Sequence, residues 1–221
     1  MSNEGENSVG CCNFKAAITK ERSATDETKV CVACGGLYTM NQLKELPEDV
    51  VKVAAGSGNP IALAELKRGQ IVLDIGCGGG IDCLLAARKV GSEGMVIGID
   101  KSPQKIGIAK RAAQRMGLNN VEFRIGDMRN LPVERESIDV VISNCAIAVQ
   151  KTWHGKERVF KEAWRVLKSG GKLVLSDWIA EGFEGKYAKI IQKVGFRNVK
   201  ILERRHVKEN INAIDVIAYK P

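Results

Sequence analysis

Residues 71–80 constrain this chain most. The apolar run Ile71-Val72-Leu73-Asp74-Ile75 passes straight into Gly76-Cys77-Gly78-Gly79-Gly80, and helical patterning begins at Ile81. A short buried strand, a glycine turn and a helix in that order place a flexible backbone beside a helix N-terminus. Glycine permits a sharp turn and a close approach to a ligand, and the N-terminus offers unpaired N–H groups. Twenty residues beyond Gly80, Asp100 ends a second apolar run, where a carboxylate can accept from two ribose hydroxyls. Ile81, Asp82 and Cys83 follow the glycines directly, so the spacing is not the Gly-x-Gly-x-x-Gly dinucleotide fingerprint. Gly126-Asp127-Met128 forms another acidic turn, suited to an adenine amino group.

The rest of the chain repeats this alternation. The pattern predicts strands at 71–75, 95–99, 121–125, 138–142, 172–176, 198–203 and 211–219. Helices fall at 81–90, after Ser102-Pro103, and over the stretch holding Val159, Ala163, Val166 and Leu167, which Gly170-Gly171 is expected to close. Tyr187, Ile190, Ile191 and Val194 mark one more helix. Ahead of the first strand, Thr39 and Gln42 have capping-box spacing, and Asn59-Pro60 reads as an N-cap followed by a first-turn proline, opening a helix that Gly69 ends. Alternation of this kind implies a mostly parallel sheet with helices on both faces. Residues 1–38 are read as a polar, partly disordered extension carrying cysteines, and residues 39–221 as the folded domain.

Composition closes several other routes. No apolar run approaches the roughly 20 residues that span a bilayer, and the N-terminus lacks the basic start and apolar stretch of a secretory leader. Seven cysteines, an odd number, argue for reduced thiols in a cytoplasm rather than a disulfide framework. Residues 151–221 supply the net charge of +8. A basic face there raises nucleic acid as a partner, but the few aromatics and the missing RNA-binding signature argue against it. The two histidines, His154 and His206, fall in expected loops; a general-base role for His154 and a cleft wall at Trp153 stay as lesser options.

The glycine loop and two acidic turns together resemble the class I S-adenosylmethionine-dependent methyltransferases, over roughly residues 69–219. That resemblance implies a Rossmann-like α/β fold with a seven-stranded, mostly parallel sheet, helices on both faces and an antiparallel last strand. It further implies S-adenosyl-L-methionine as cofactor, held by Asp74, Gly76, Cys77, Gly78, Gly80, Asp100, Lys101, Asp127, Met128 and Asn144. Leu46-Pro47-Glu48, Gly56-Ser57-Gly58-Asn59-Pro60, Gly80-Ile81-Asp82-Cys83, Ser143-Asn144-Cys145 and Ser176-Asp177 narrow the resemblance to arsenite methyltransferases. The acceptor then implied is thiol-bound trivalent arsenic, with a thiol reductant as co-substrate and no membrane partner. Cys145, past the fourth domain strand, is the expected catalytic thiolate, because a soft metalloid prefers thiolate ligands. Where the family has cysteine before Gly-Asn-Pro, this chain has Ser57, and the segment after Asp177 contains no cysteine, so the matching positions do not supply three thiols. Cys11-Cys12 and Cys31-Val32-Ala33-Cys34 are the substitutes; for these four, a metalloid grip, a structural metal and a redox pair all remain open. A different small acceptor (a quinone precursor, a thiol or another metalloid) and a metal-binding module with a vestigial donor fold are the alternative functions.

Overall fold

The computed structural model describes residues 29–32 and 36–221. A small antiparallel hairpin opens it: β1 (Lys29–Val32) pairs with β2 (Gly36–Thr39), setting Cys31 opposite Leu37. Three short helices follow, α1 (Met40–Lys44), α2 (Glu48–Val53) and α3 (Pro60–Ala64). The capping box read from Thr39 and Gln42 is present in both directions, and the Asn59 side chain accepts from the Ala62 N–H. α3 stops at Ala64, short of Gly69, because Glu65 turns into the left-handed region at φ 51°.

The domain proper runs β3 (Ile71–Ile75), α4 (Ile81–Val90), β4 (Met95–Asp100), α5 (Pro103–Arg115), β5 (Val121–Ile125), β6 (Ile138–Asn144), α6 (Trp153–Val166), β7 (Leu167–Ala180), α7 (Glu184–Val194), β8 (Arg197–Lys208) and β9 (Ile211–Tyr219). The seven strands order as β5-β4-β3-β6-β7-β9-β8. Pairs up to β7 are parallel, and β9 is antiparallel to both of its neighbours. This is the expected Rossmann-like α/β sheet with its antiparallel last strand.

Two-residue alternation divides the core. Val72, Val96, Val140 and Val174 face α2–α5, whereas Leu73, Ile97, Val141 and Leu175 face α6 and α7. Both faces are therefore covered, and the strands read as continuous apolar runs. The chain leaves β3 toward β4 and β5 on one side and returns to β6 on the other. The carboxyl ends of β3, β4 and β6 consequently frame a crevice at the point where strand order reverses.

Three sequence expectations need correction. α6 ends at Val166, with Leu167 already extended, so Gly170-Gly171 does not close a helix. Those glycines lie in β7, where Gly170 N–H donates to Lys220 O, and the strand spans 14 residues because β9 pairs along it from Lys172 to Ala180. Neither histidine is in a loop: His154 is in the first turn of α6 and His206 is in β8, both exposed.

Candidate functional site

The crevice is a cavity of about 340 Å³, within the size range of small-ligand sites. Asp74, Gly76, Cys77, Gly78, Asp100, Lys101, Asp127, Met128, Asn144 and Cys145 all line it. Gly80 stands behind the wall. It caps α4 at φ 90°, and a Cβ there would press on Ala109 at 2.9 Å and on the Phe123 ring at 3.1 Å. Its use is close packing of helix against sheet.

Asp100 is held by backbone on both sides. Its Oδ2 accepts from Gly78 N–H at 3.0 Å and its Oδ1 from Ser102 N–H at 2.8 Å. The glycine turn and the second strand's end are thus locked into one unit. The carboxylate keeps acceptor capacity toward the cavity, since each ionised oxygen offers more than one lone pair. Asp127 lies at the rim in an exposed pair with Arg129, whose Nη2 donates at 2.6 Å. Hydrogen bonds from the Arg129 side chain and backbone hold the Asp127 carboxyl down at about 2. Met128 is fixed beside it by Gln150, whose Nε2 donates to the thioether sulfur at 3.3 Å.

Deeper in the wall lie two buried carboxylates. Asp74 accepts from the Cys83 thiol at 3.2 Å, which gives Cys83 a hydrogen-bonding duty beyond the packing read from the sequence. Burial, then the neighbouring Asp82, push the Asp74 carboxyl well above the usual range. Asp82 is raised by burial to about 6, opposed by hydrogen bonds from Asn144 and Tyr38. Asn144 organises what surrounds it. Its Oδ1 accepts from Ser57 N–H at 2.8 Å, and its Nδ2 reaches Gly58 O and Asp82 Oδ2, both at 3.1 Å. The segment Gly56-Ser57-Gly58 is thereby laid across the end of β6.

Cys145 comes directly after β6 with φ 56°, a conformation uncommon outside glycine. Its N–H donates to Ser176 O at 2.8 Å, and its side chain is buried on the cavity wall. Strain of this kind collects at functional sites. Behind Cys145 is a polar group that the sequence reading missed. Asp177 accepts from Tyr187 Oη at 2.6 Å and from the N–H groups of Ala148 and Trp178, each at 3.1 Å. Burial raises Asp177 to about 6 and raises Tyr187 well above its ordinary value. Tyr187 belongs to α7, a short turn after Asp177, and its ring meets Phe160 edge-on at 5.4 Å. An aromatic, invisible as chemistry in an amphipathic repeat, thus serves as a hydrogen-bond donor to a buried carboxylate.

Ser57 is 1% exposed, and its Oγ has no hydrogen-bond partner among the described residues. Trp153 is outside the cavity, stacked on Phe183 at 5.8 Å with Lys186 over its ring, and His154 does not line the cavity either. Cys11, Cys12 and Cys34 lie outside the described residues, and Cys31 is placed only by its strand. Among the described residues no cluster of three metal-ligating side chains occurs, and no helix is long and apolar enough to cross a membrane.

Comparison with known proteins bears on this site. A family model described as a methyltransferase domain matches residues 66–209. An arsenite methyltransferase of Halobacterium salinarum is 44% identical over 136 residues, 59% of this chain and 34% of that protein. The arsenite methyltransferase of Mus musculus is 34% identical over 177 residues, 75% of this chain and 46% of the mouse protein. The chain thus spans between a third and a half of these relatives' length. Among solved structures, CrArsM, an arsenic (III) S-adenosylmethionine methyltransferase from Chlamydomonas reinhardtii, aligns with a TM-score of 0.73 at 28% identity, covering 81% of this chain and 72% of that one. The YcgJ protein of Bacillus, at 18% identity and a TM-score of 0.63, shares the fold.

Proposed function

Because the chain belongs to the methyltransferase domain family, we propose that it transfers a methyl group from S-adenosyl-L-methionine to trivalent arsenic. The observation that carries the reading is the shared cavity. The backbone-locked Asp100, the glycine turn and the Cys145 thiol all line one crevice at the topological switch point. The residues fit the donor. Asp100 would accept from its ribose hydroxyls, Asp127 and Met128 would receive the adenine, and Gly76, Cys77 and Gly78 would bring backbone close to its chain. Asp74 and Asn144 would wall the amino-acid end, and Lys101 lines the cavity next to Asp100. When bound, S-adenosyl-L-methionine supplies an electrophilic methyl group on a positively charged sulfur.

Cys145 is the thiolate that holds the arsenic acceptor. Arsenic offers its own lone pair, so the chain need only align it, and alignment alone can lower a barrier by several kcal/mol, of order 7–11 at best. The exposed histidines fit this: no proton has to be removed at the acceptor. Further thiolates come from the acceptor's own small thiols or from Cys31 and Cys34, with Cys11 and Cys12 as additional candidates. A thiol reductant is the expected co-substrate, and a cytoplasmic setting, where thiols stay reduced, suits it.

The test is product analysis with arsenite, a small-thiol reductant and methyl-labelled donor. Methylated arsenicals are expected, with turnover at least about 100-fold lower in Cys145→Ser, since a hydroxyl is a poor ligand for a soft metalloid. Undiminished turnover in that variant removes Cys145 from the acceptor site. Labelled product from another small acceptor, with none from arsenite, overturns the acceptor.

A further inference from the structure

Four stretches far apart in sequence meet at one buried point beside the cavity. Tyr38 comes from β2, Asp82 from the first turn of α4, Asn144 from the end of β6, and Ser57-Gly58 from the approach to α3. Tyr38 Oη donates to Asp82 Oδ1 at 2.9 Å and lies 3.0 Å from Asn144 Nδ2. Tyr38 is 1% exposed and Asp82 3%. Asp82 has no cationic partner among the described residues, so its stability as a buried carboxylate rests on neutral donors. Asn144 Nδ2 has two hydrogens and three acceptors within reach, Tyr38 Oη, Gly58 O and Asp82 Oδ2. The Tyr38 hydroxyl is therefore the one donor to Asp82 with a single acceptor to serve.

Asp82 and Asn144 line the cavity, and Tyr38 does not. Tyr38 instead fastens β2 to that wall, one position after Leu37, which is in register with Cys31 of β1. We infer that Tyr38 is a positioning residue, whose hydroxyl couples seating of the β1–β2 hairpin to occupancy of the donor cavity through Asp82 and Asn144. The inference rests on the donor reading above for the identity of the cavity's ligand. A cationic donor meeting Asp82 from the cavity side favours the ionised carboxylate, and the ionised carboxylate accepts more strongly from Tyr38. Hairpin seating and donor binding then strengthen one another by the same factor, as linkage requires.

The experiment uses the full chain and Tyr38→Phe, which keeps the ring and removes the hydroxyl. Without donor, amide exchange in β1 and β2 should speed up about tenfold or more, while exchange in β3 and β6 stays as in the wild type. Adding S-adenosyl-L-methionine should slow hairpin exchange in the wild type and leave the variant unaffected. Donor affinity by calorimetry should fall about 5- to 20-fold, the range in which single coupling contacts act. Asp82→Asn should abolish the same donor response. Hairpin exchange and donor affinity within twofold of wild type in Tyr38→Phe overturn the inference. Faster exchange with an intact donor response also overturns it, because that is a structural role only. A wild type that binds no donor refutes the donor reading, while the donor-free exchange still reports whether Tyr38 seats the hairpin.

Discussion

Replacing Tyr187 by Phe isolates one hydroxyl at a buried carboxylate, and its cost should depend on pH. The ring still packs edge-on against Phe160. What disappears is the 2.6 Å donation to Asp177 Oδ2, leaving the carboxyl with backbone N–H groups on its other oxygen. Asp177 is raised to about 6, with burial the first cause and the Tyr187 hydrogen bond the first to oppose it. Near pH 5 the folded protein carries Asp177 protonated, and the lost bond is neutral, worth about 1 kcal/mol. At about pH 7.5 the carboxylate is charged, and the loss grows to about 1.5–3 kcal/mol. At roughly 2–4 °C per kcal/mol for a chain of this size, the melting temperature should drop by about 2–4 °C near pH 5 and by about 1.5 to 3 times that at pH 7.5. The wild type has a matching slope. A carboxyl whose folded value lies above its unfolded value binds extra protons in the folded state, so stability falls as pH rises from about 4 through 6. That fall is about 3 kcal/mol for Asp177, and in Tyr187→Phe it should extend to higher pH. Urea unfolding at the two pH values measures both effects. An equal loss at each, or a larger loss near pH 5, refutes a charged acceptor at Asp177.

Asp100→Asn should weaken S-adenosyl-L-methionine binding about tenfold or more by calorimetry, because the amide cannot accept through both oxygens as the carboxylate does toward Gly78 and Ser102. Gly58→Ala should cost about 1–3 kcal/mol in urea unfolding, since its Cβ would collide with Ser176 Oγ and Asp215 Oδ1, which are themselves hydrogen-bonded and buried. Ser57→Ala should be neutral or raise stability by about 1 kcal/mol in the same assay, because it deletes a buried hydroxyl that satisfies nothing. Arg129→Ala should return the Asp127 carboxyl from about 2 toward the ordinary range in a carbon-detected titration while leaving the urea midpoint essentially unchanged, as expected for an exposed pair.

Where one local rule decided the backbone, the sequence was enough to read it. Capping at Thr39 and Asn59, the β3 run, the glycine turn and the close of β4 at Asp100 each follow from nearest-neighbour chemistry. The errors came where a distant partner decided. Gly170-Gly171 looks like a helix stop, yet both glycines bond the Lys220 backbone some 50 positions away, just past the point where β9 pairs with the rest of a 14-residue strand. β6 runs to Asn144, two residues past its apolar portion, because Ser143 donates to Ile75 O and Asn144 is held by the 56–58 segment. Polar residues at the end of a strand look like a loop until their tertiary partners are known. The donor half of the site was legible for the same reason as β3: a glycine turn and an aspartate at a strand end carry their geometry with them.

The acceptor half follows another logic, and Ser57 shows why. Its backbone is gripped at both ends, by Asn144 from the N–H side and by Arg205, which donates to its carbonyl at 2.7 Å. A position fixed so firmly would be expected to use its side chain, yet the hydroxyl is buried with nothing to bond. Leaving a hydroxyl unsatisfied costs about 1–3 kcal/mol, whereas a thiol at the same place behaves as a small apolar group and costs little. The surroundings therefore suit sulfur better than oxygen, in keeping with the cysteine that the arsenite methyltransferase resemblance sets at this position. The Ser57 backbone is held on both sides, and of the positions matched by the resemblance only Cys145 carries a thiol in this chain. Cys77 also lines the cavity, and β1, which carries Cys31, pairs with the strand that carries Tyr38. A thiol in the wall together with a further ligand from β1 would make acceptor affinity depend on how the hairpin sits, as the inferred coupling does for donor affinity.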